Sequence, residues 1–321
     1  MIGREKMKKL LICNGFPDEF ASKLIAKHKD DISITVCKNK DEMLKNIEDA
    51  EMFITFACNR EMLEKAKKLK WVQVLSAGVD GLPLDLISKK GIMLTNGKGI
   101  HKNQMSEYAI WAMISLARNS SIIFRNQVNG KWDDSIPQNE INGSTAGILG
   151  LGSIGRETAR KASALGMHVV GVKRTPQNVE YVEKVYGEDG MEEVFKKSDY
   201  IINILPHTPK TDKIIDRHYF SLMKKTACFI NIGRGATVNE EDLIEALREK
   251  RIMSAVLDVF DEEPLPKSSP LWRMENVIIT PHVCGESSKY LERSMEIIEH
   301  NLEAYLNGEN MINVINLEKG Y

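Results

Sequence analysis

The sequence predicts an α/β protein made of two parallel layers. Three observations carry that expectation. Short apolar runs alternate with helical stretches over the first hundred residues. A glycine-rich turn sits between a strand-like run and a helical stretch at residues 150–155. A second series of apolar runs follows at 200–204, 229–232, 255–257 and 277–279. Strand and helix in alternation is the pattern of a parallel sheet whose crossovers are helices.

In the first layer, residues 9–13, 32–36, 52–56 and 71–75 read as strands. Residues 19–28, 41–47 and 61–68 read as the helices between them. Residues 103–118 form a long amphipathic helix, with Ala, Ile, Trp, Met and Leu assigned to its buried side. The second layer opens with the strand 146–149. A last helix, 289–306, lies beyond the final strand and is expected to cross back to the first domain. Residues 316–321 read as a tail, and no repeat or low-complexity tract is visible.

Residues Gly150, Gly152 and Gly155 form a G-x-G-x-x-G with Ser153 and Ile154 between the last two. A strand precedes the turn, a helix (156–165) follows, and a second strand comes at 168–172. That is the dinucleotide-binding unit. The first glycine allows the tight turn, the second lets the backbone approach a pyrophosphate, and the third lets helix and strand pack closely. The helix N-terminus offers its unpaired N–H groups to the phosphates.

The 321 residues suffice for two domains. With 42% hydrophobic and 28% charged residues the composition is that of a globular protein. A net charge of −1 without a basic block argues against nucleic-acid binding. The five cysteines are scattered, odd in number and without C-x-x-C spacing. This argues against a disulfide framework or a zinc site and for a reducing cytoplasm. No metal-ligand cluster appears among the seven histidines. The apolar run 10–13 is too short for a signal peptide, and the apolar helix 108–117 is too short to span a bilayer.

Three titratable or charged residues each follow a strand-like run in the second layer: Arg234, Glu263 and His282. In an open parallel sheet, ligands bind beyond the carboxyl ends of the strands. All three can therefore meet in one crevice beside the cofactor. The guanidinium suits a substrate carboxylate and carbonyl oxygen. The imidazole suits proton transfer to and from that oxygen. The carboxylate suits orienting the imidazole.

Nearly the whole chain resembles the D-isomer-specific 2-hydroxyacid dehydrogenase family. The resemblance rests on the glycine turn 150–155, on Asn231-Ile232-Gly233-Arg234-Gly235, on Leu257-Asp258-Val259-Phe260 with Glu263-Pro264, and on Ser269-Pro270-Leu271-Trp272 leading into Thr280-Pro281-His282. It implies a Rossmann-type cofactor domain (100–286) inserted in a smaller flavodoxin-like α/β substrate domain (1–99 and 287–321). It implies Arg234 as substrate binder, His282 as general acid/base, also touching substrate, and Glu263 as partner of the histidine. Leu205, Pro206, Thr211, Ile232 and Gly233 would line the cofactor cleft, with His207 nearby. Asp258 resembles the residue that holds the nicotinamide carboxamide, and it also suits a strand-end cap. The segment around Ala77, Gly78 and Val79, running on to Asp80, resembles the loop whose N–H groups bind the substrate carboxylate; Gly78 also suits a bare turn. Residues 96–99 resemble the first crossing between domains, and the helix around Tyr108 resembles a homodimer region. Trp132 has two readings: packing at a partner's substrate cleft, or an ordinary core or surface aromatic. Cys284 reads as a small packing residue rather than a redox-sensitive thiol.

The second strand of the glycine unit ends at Val172, before Lys173, Arg174 and Thr175. A carboxylate here would take the ribose 2′-hydroxyl of NAD and repel a 2′-phosphate. These three residues predict a preference for NADP(H), with Arg174 the main contact and NAD(H) still possible. Glu188 and Asp189 lie too far along the chain to substitute without a rearranged loop. The expected activity is reduction of small 2-oxo acids such as glyoxylate or hydroxypyruvate to D-2-hydroxy acids. An NAD-dependent 3-phosphoglycerate dehydrogenase is the alternative enzyme, disfavoured because no room remains after residue 321 for an added domain. A dinucleotide-binding scaffold is the alternative of another class. Glu263 argues against formate dehydrogenases, which resemble a version with an amide there.

Overall fold

The computed structural model describes residues 7–79 and 81–317; Asp80 and the tail positions 318–321 lie outside the described residues. The chain divides into two compact units, with crossings between Ile100 and His101 and between Ser287 and Ser288. Each unit is built on its own parallel sheet.

The unit formed by both chain ends contains β1 (Lys8–Ile12), α1 (Asp18–His28), β2 (Ile32–Val36), α2 (Lys40–Asn46), β3 (Met52–Thr55), α3 (Arg60–Lys65), β4 (Trp71–Val74), α4 (Leu84–Lys89) and β5 (Met93–Thr95). The strand order is β2-β1-β3-β4-β5, all parallel. This is the flavodoxin-like order. Both faces of the sheet are covered, so its central strands read as unbroken apolar runs. Leu10, Ile12, Met52, Ile54 and Trp71 pack on one side with Leu24, Met295 and Ile298. Leu11, Phe53, Val72 and Val74 pack on the other with Met43, Leu63 and Leu86.

The second unit runs α5 (Lys102–Ala117), α6 (Ser120–Val128), β6 (Thr145–Leu149), α7 (Ser153–Ala164), β7 (His168–Val172), β8 (Lys184–Tyr186), α8 (Met191–Lys197), β9 (Tyr200–Asn203), α9 (Arg217–Leu222), β10 (Cys228–Asn231), α10 (Glu240–Arg248), β11 (Ser254–Leu257) and β12 (Val277–Ile279). Its seven parallel strands lie in the order β12-β11-β10-β9-β6-β7-β8. The order reverses between β9 and β6, which pair directly through Leu149 and Asn203. A crevice opens at such a reversal, beyond the carboxyl ends of the strands. One face is covered by α5 and α7, where Ala109 and Ala112 meet the same core as Ala159 and Ala162. Small side chains let those two helices approach closely.

The last helix, α11 (Tyr290–Asn307), belongs to the first unit and is fastened there by polar groups as well as by packing. Asn301 is fully buried. Its amide donates to Gln73 Oε1 (2.9 Å) and to the Ile312 carbonyl (3.1 Å), and its oxygen accepts the Ile312 N–H (2.8 Å). Gln73 Oε1 also accepts from Thr95 (2.7 Å), which in turn accepts from the Trp71 indole (2.8 Å).

Several elements differ from expectation. Helix α7 starts at Ser153, inside the glycine motif, and not at 156. Helix α3 stops at Lys65 because Ala66 turns extended, and β9 stops at Asn203. The sequence assigns Trp111 and Ile114 to the buried side of α5, but each is about two-fifths exposed. The edge strands β5 and β8, three residues each, and the helices α4, α6, α8, α9 and α10 have no expected counterpart.

Replacing Asn301 by Ala would take one of two donors from the buried Gln73 Oε1 and remove the side-chain partner of the Ile312 N–H and carbonyl. We expect Asn301→Ala to destabilise the first unit by about 2 kcal/mol. Urea unfolding followed by fluorescence of the buried Trp71 checks this, and an unshifted midpoint would contradict it.

Candidate active site

The glycine turn leaves β6 at the sheet reversal. Gly150 has φ +105° and its N–H bonds the Val172 carbonyl (3.2 Å). A Cβ on Gly155 would stand 2.1 Å from the Gly150 oxygen, so the first turn of α7 lies against the strand end only because that side chain is absent. Helices α2, α3, α9 and α10 are each capped by an Asn or Asp side chain. Helix α7, like α1, α4, α5, α6, α8 and α11, has no side-chain cap, and open space lies where a Gly152 side chain would project. With the glycine turn before it, the α7 N-terminus fits a dinucleotide pyrophosphate.

Arg234 follows β10 and is half-buried. Its backbone is held by a dry amide network. Asn203 Nδ2 donates to Asn231 Oδ1 (2.9 Å) and Thr237 Oγ1 (2.8 Å), and Thr237 Oγ1 donates to the Arg234 carbonyl (2.7 Å). Asn203, Asn231 and Thr237 are all buried. The Arg234 guanidinium donates to the Gly233 carbonyl (2.9 Å). The next residue, Gly235, packs against the Phe260 carbonyl so closely that a Cβ would sit 1.8 Å from its oxygen. The arginine turn is thereby set against the loop that carries Glu263.

Glu263 Oε1 accepts the Phe260 N–H (3.0 Å) and Oε2 meets His282 Nδ1 (2.7 Å). A carboxylate only accepts, so Nδ1 carries a proton and Nε2 is the nitrogen left to exchange one. His282 adopts φ +54°, a left-handed conformation unusual for a residue with a Cβ. Its N–H bonds the Asp258 carbonyl (2.9 Å). The Asp258 side chain is wholly enclosed. It accepts Thr280 Oγ1 (2.5 Å), Val283 N–H (3.0 Å) and Cys284 N–H (3.0 Å). These bonds anchor the histidine loop. Cys284 is buried; burial, and then the Asp258 charge beside it, pushes its thiol far up, which leaves it a packing residue.

Residues 110–284 match the model of the D-isomer specific 2-hydroxyacid dehydrogenase NAD-binding domain. The chain belongs to the D-isomer-specific 2-hydroxyacid dehydrogenase family. Members of this family are oxidoreductases acting on CH–OH donors. The chain is 33% identical over 298 residues to the D-3-phosphoglycerate dehydrogenase of Methanocaldococcus jannaschii, covering 91% of this chain and 57% of that one. It thus spans a little over half the length of that relative. It is 31% identical over 287 residues to the glyoxylate reductase of Korarchaeum cryptofilum, covering 86% and 85%. Among solved structures, the NADPH-dependent glyoxylate/hydroxypyruvate reductase of Sinorhizobium meliloti, in complex with NADP and sulfate, superposes with a TM-score of 0.85. The two are 26% identical, over 98% of this chain and 100% of that one.

Within this dehydrogenase, the other expected cofactor residues fall around the same sheet edge. Ile232 and Gly233 lead into the arginine turn, and Leu205 N–H is held by Asn203 Oδ1 (3.2 Å). Thr211 uses its hydroxyl inside its own loop, donating to the Pro206 carbonyl (2.6 Å) and accepting from Thr208 N–H (2.8 Å). His207 pairs with Asp212 (2.8 Å). After β7, Lys173 is half-buried while Arg174 and Thr175 are exposed. Arg174 Nε lies 3.6 Å from Glu188 Oε1, so a residue set aside on sequence distance returns to the basic turn. The short strand β8 brings it back.

In the first unit, the loop of Ala77, Gly78 and Val79 is stitched through its carbonyls. Ser76 Oγ donates to the Gly78 carbonyl (2.9 Å), Leu82 N–H to that of Val79 (3.0 Å), and Asn96 Nδ2 to that of Ala77. Among the described residues no acceptor takes the Ala77, Gly78 or Val79 N–H. Sequence reasoning did not find Asn203, Asn231, Thr237, Thr280 or Tyr108 as supports. The polar Asn at the end of two apolar strand runs was the signal available.

Gly235→Ala would force the arginine turn off the Phe260 carbonyl. We expect kcat to fall about 100-fold with nicotinamide affinity retained, by steady-state kinetics and fluorescence titration; unchanged kcat would contradict this.

Proposed function

We propose that the protein reduces small 2-oxo acids of the glyoxylate and hydroxypyruvate kind to D-2-hydroxy acids, with NADP(H) preferred over NAD(H). The observation that carries the reading is the His282–Glu263 pair on the same sheet edge as Arg234 and the uncapped α7 terminus. When bound, the nicotinamide supplies the hydride for the carbonyl carbon. His282 gives the proton on Nε2 to the substrate oxygen, and Glu263 holds the ring and its positive charge. Arg234 pairs with the substrate carboxylate, and in the first unit the N–H groups of Ala77, Gly78 and Val79 suit a carboxylate. The glyoxylate reductase relatives support the substrate class. The phosphoglycerate dehydrogenase relative favours a second reading, oxidation of a phosphorylated 2-hydroxy acid. Initial rates with NADPH and NADH against glyoxylate, hydroxypyruvate, pyruvate and, in reverse, 3-phosphoglycerate decide between them. No turnover alongside measurable cofactor binding would favour a scaffold.

The cofactor preference rests on Lys173, Arg174 and Thr175, none of which is itself a carboxylate. Glu188 opposes it by competing for Arg174. We expect Arg174→Ala to weaken NADPH binding roughly thirty-fold while sparing NADH. Glu188→Gln should tighten NADPH two- to five-fold, about the worth of an exposed ion pair. Equal losses for both cofactors in Arg174→Ala would refute the contact.

We further propose a cytoplasmic homodimer. The five cysteines are free and buried. Among the described residues no helix is long and apolar enough to cross a membrane. Outward-facing Trp111, Ile114, Ile123, Phe124 and Val128 give α5 and α6 an apolar face, and Trp132, 93% exposed, is no core aromatic. Paired Phe124→Glu and Val128→Glu substitutions should convert a dimer to a monomer by sedimentation velocity; a monomeric wild type would contradict the proposal.

A further inference from the structure

One half-buried phenol of the cofactor domain has no place in the reaction described above. The Tyr108 hydroxyl, on α5, meets Thr280 Oγ1 at 2.5 Å, and Thr280 Oγ1 meets Asp258 Oδ1 at 2.5 Å. Proton bookkeeping orients this chain. The carboxylate can only accept, so the single Thr280 hydroxyl proton points to Asp258. The Tyr108 hydroxyl must then donate to Thr280. Burial pushes the Tyr108 phenol well up, so it keeps that proton across the working range. At the far end, Asp258 takes the N–H groups of Val283 and Cys284, the two residues that follow His282.

The geometry points to Tyr108 as a positioning residue for the general acid: through Thr280 and Asp258 it fixes the loop on which His282 stands. Tyr108 touches neither the imidazole nor Glu263 and acts only through this chain. Three features make the positioning necessary. His282 sits at φ +54°, a conformation that relaxes unless its surroundings hold it. Among the described residues the imidazole has one hydrogen-bond partner, Glu263, on an exposed loop, so ring placement depends on the backbone beneath it. Thr280 begins the turn and its N–H bonds the Leu257 carbonyl (3.0 Å), so the threonine is itself a fixed point from which the turn departs.

The inference rests on His282 as the acid of the proposed reaction, so the test includes His282→Gln. Tyr108→Phe removes one oxygen and keeps the ring. Its kcat for 2-oxo acid reduction should fall roughly ten-fold, since sub-ångström misplacement costs less than the hundred-fold of a full ångström. KM and the melting temperature should hardly change. The deuterium isotope effect from nicotinamide labelled at C4 should rise as hydride and proton transfer become more limiting. Hydrogen exchange of the protein without cofactor should speed up at the Val283 and Cys284 amides. Thr280→Val should behave alike, and the double variant should lose no more than either single one, because the residues act as one chain. Wild-type kcat and exchange in Tyr108→Phe, or additive losses in the double variant, would overturn the inference. A loss of kcat that follows the melting temperature without faster exchange would overturn it as well. If His282→Gln keeps its turnover, the acid assignment fails, and the exchange rates still decide whether Tyr108 holds the loop.

Discussion

The candidate site depends on one enclosed carboxylate. Asp258 follows β11 with no exposed surface and spends its two oxygens on a hydroxyl and two backbone N–H groups of the next loop. A carboxylate in that position is tolerable only with several donors, and charge-assisted bonds of this kind are the strong ones. They hold a left-handed histidine whose backbone costs on the order of 1–2 kcal/mol. Beside this anchor, the backbone bonds of Thr280 to Leu257 and of His282 to the Asp258 carbonyl define the loop.

The arginine is supported in the same manner. Asn203 and Asn231 end adjacent strands, β9 and β10, and face each other across the parallel register. Their amides bond each other and Thr237, which fixes the Arg234 carbonyl. Gly235 then brings that turn against Phe260, the residue whose N–H holds Glu263. Buried Asn203, Asn231, Thr237 and Asp258 thus support the backbone beneath a guanidinium, a carboxylate and an imidazole that are themselves half open to water. Rigid elements carry the supports, and loops carry the chemistry.

Both sheets were legible because their strands are covered on two faces and read as apolar runs, and because glycines at 150, 152 and 155 have little other use before a helix. Arg234, Glu263 and His282 stood out because each follows such a run. What was hidden is just as physical. Strands β5 and β8 have three residues and no period to detect. Trp111 and Ile114 count as core by hydrophobicity alone, yet α5 turns them outward. Glu188 is fourteen positions from Arg174 in sequence and returns to it only because β8 pairs with β7. Tyr108 meets Thr280 across 172 positions, a closeness no local pattern carries.

The most direct test is the single-turnover rate of hydride transfer in Asp258→Asn at saturating cofactor. The amide would set an NH2 group against backbone donors and free the histidine loop. A fall of about 100-fold or more, with cofactor affinity retained, is the expected result. Wild-type transfer in that variant would show that the enclosed carboxylate does not govern the site.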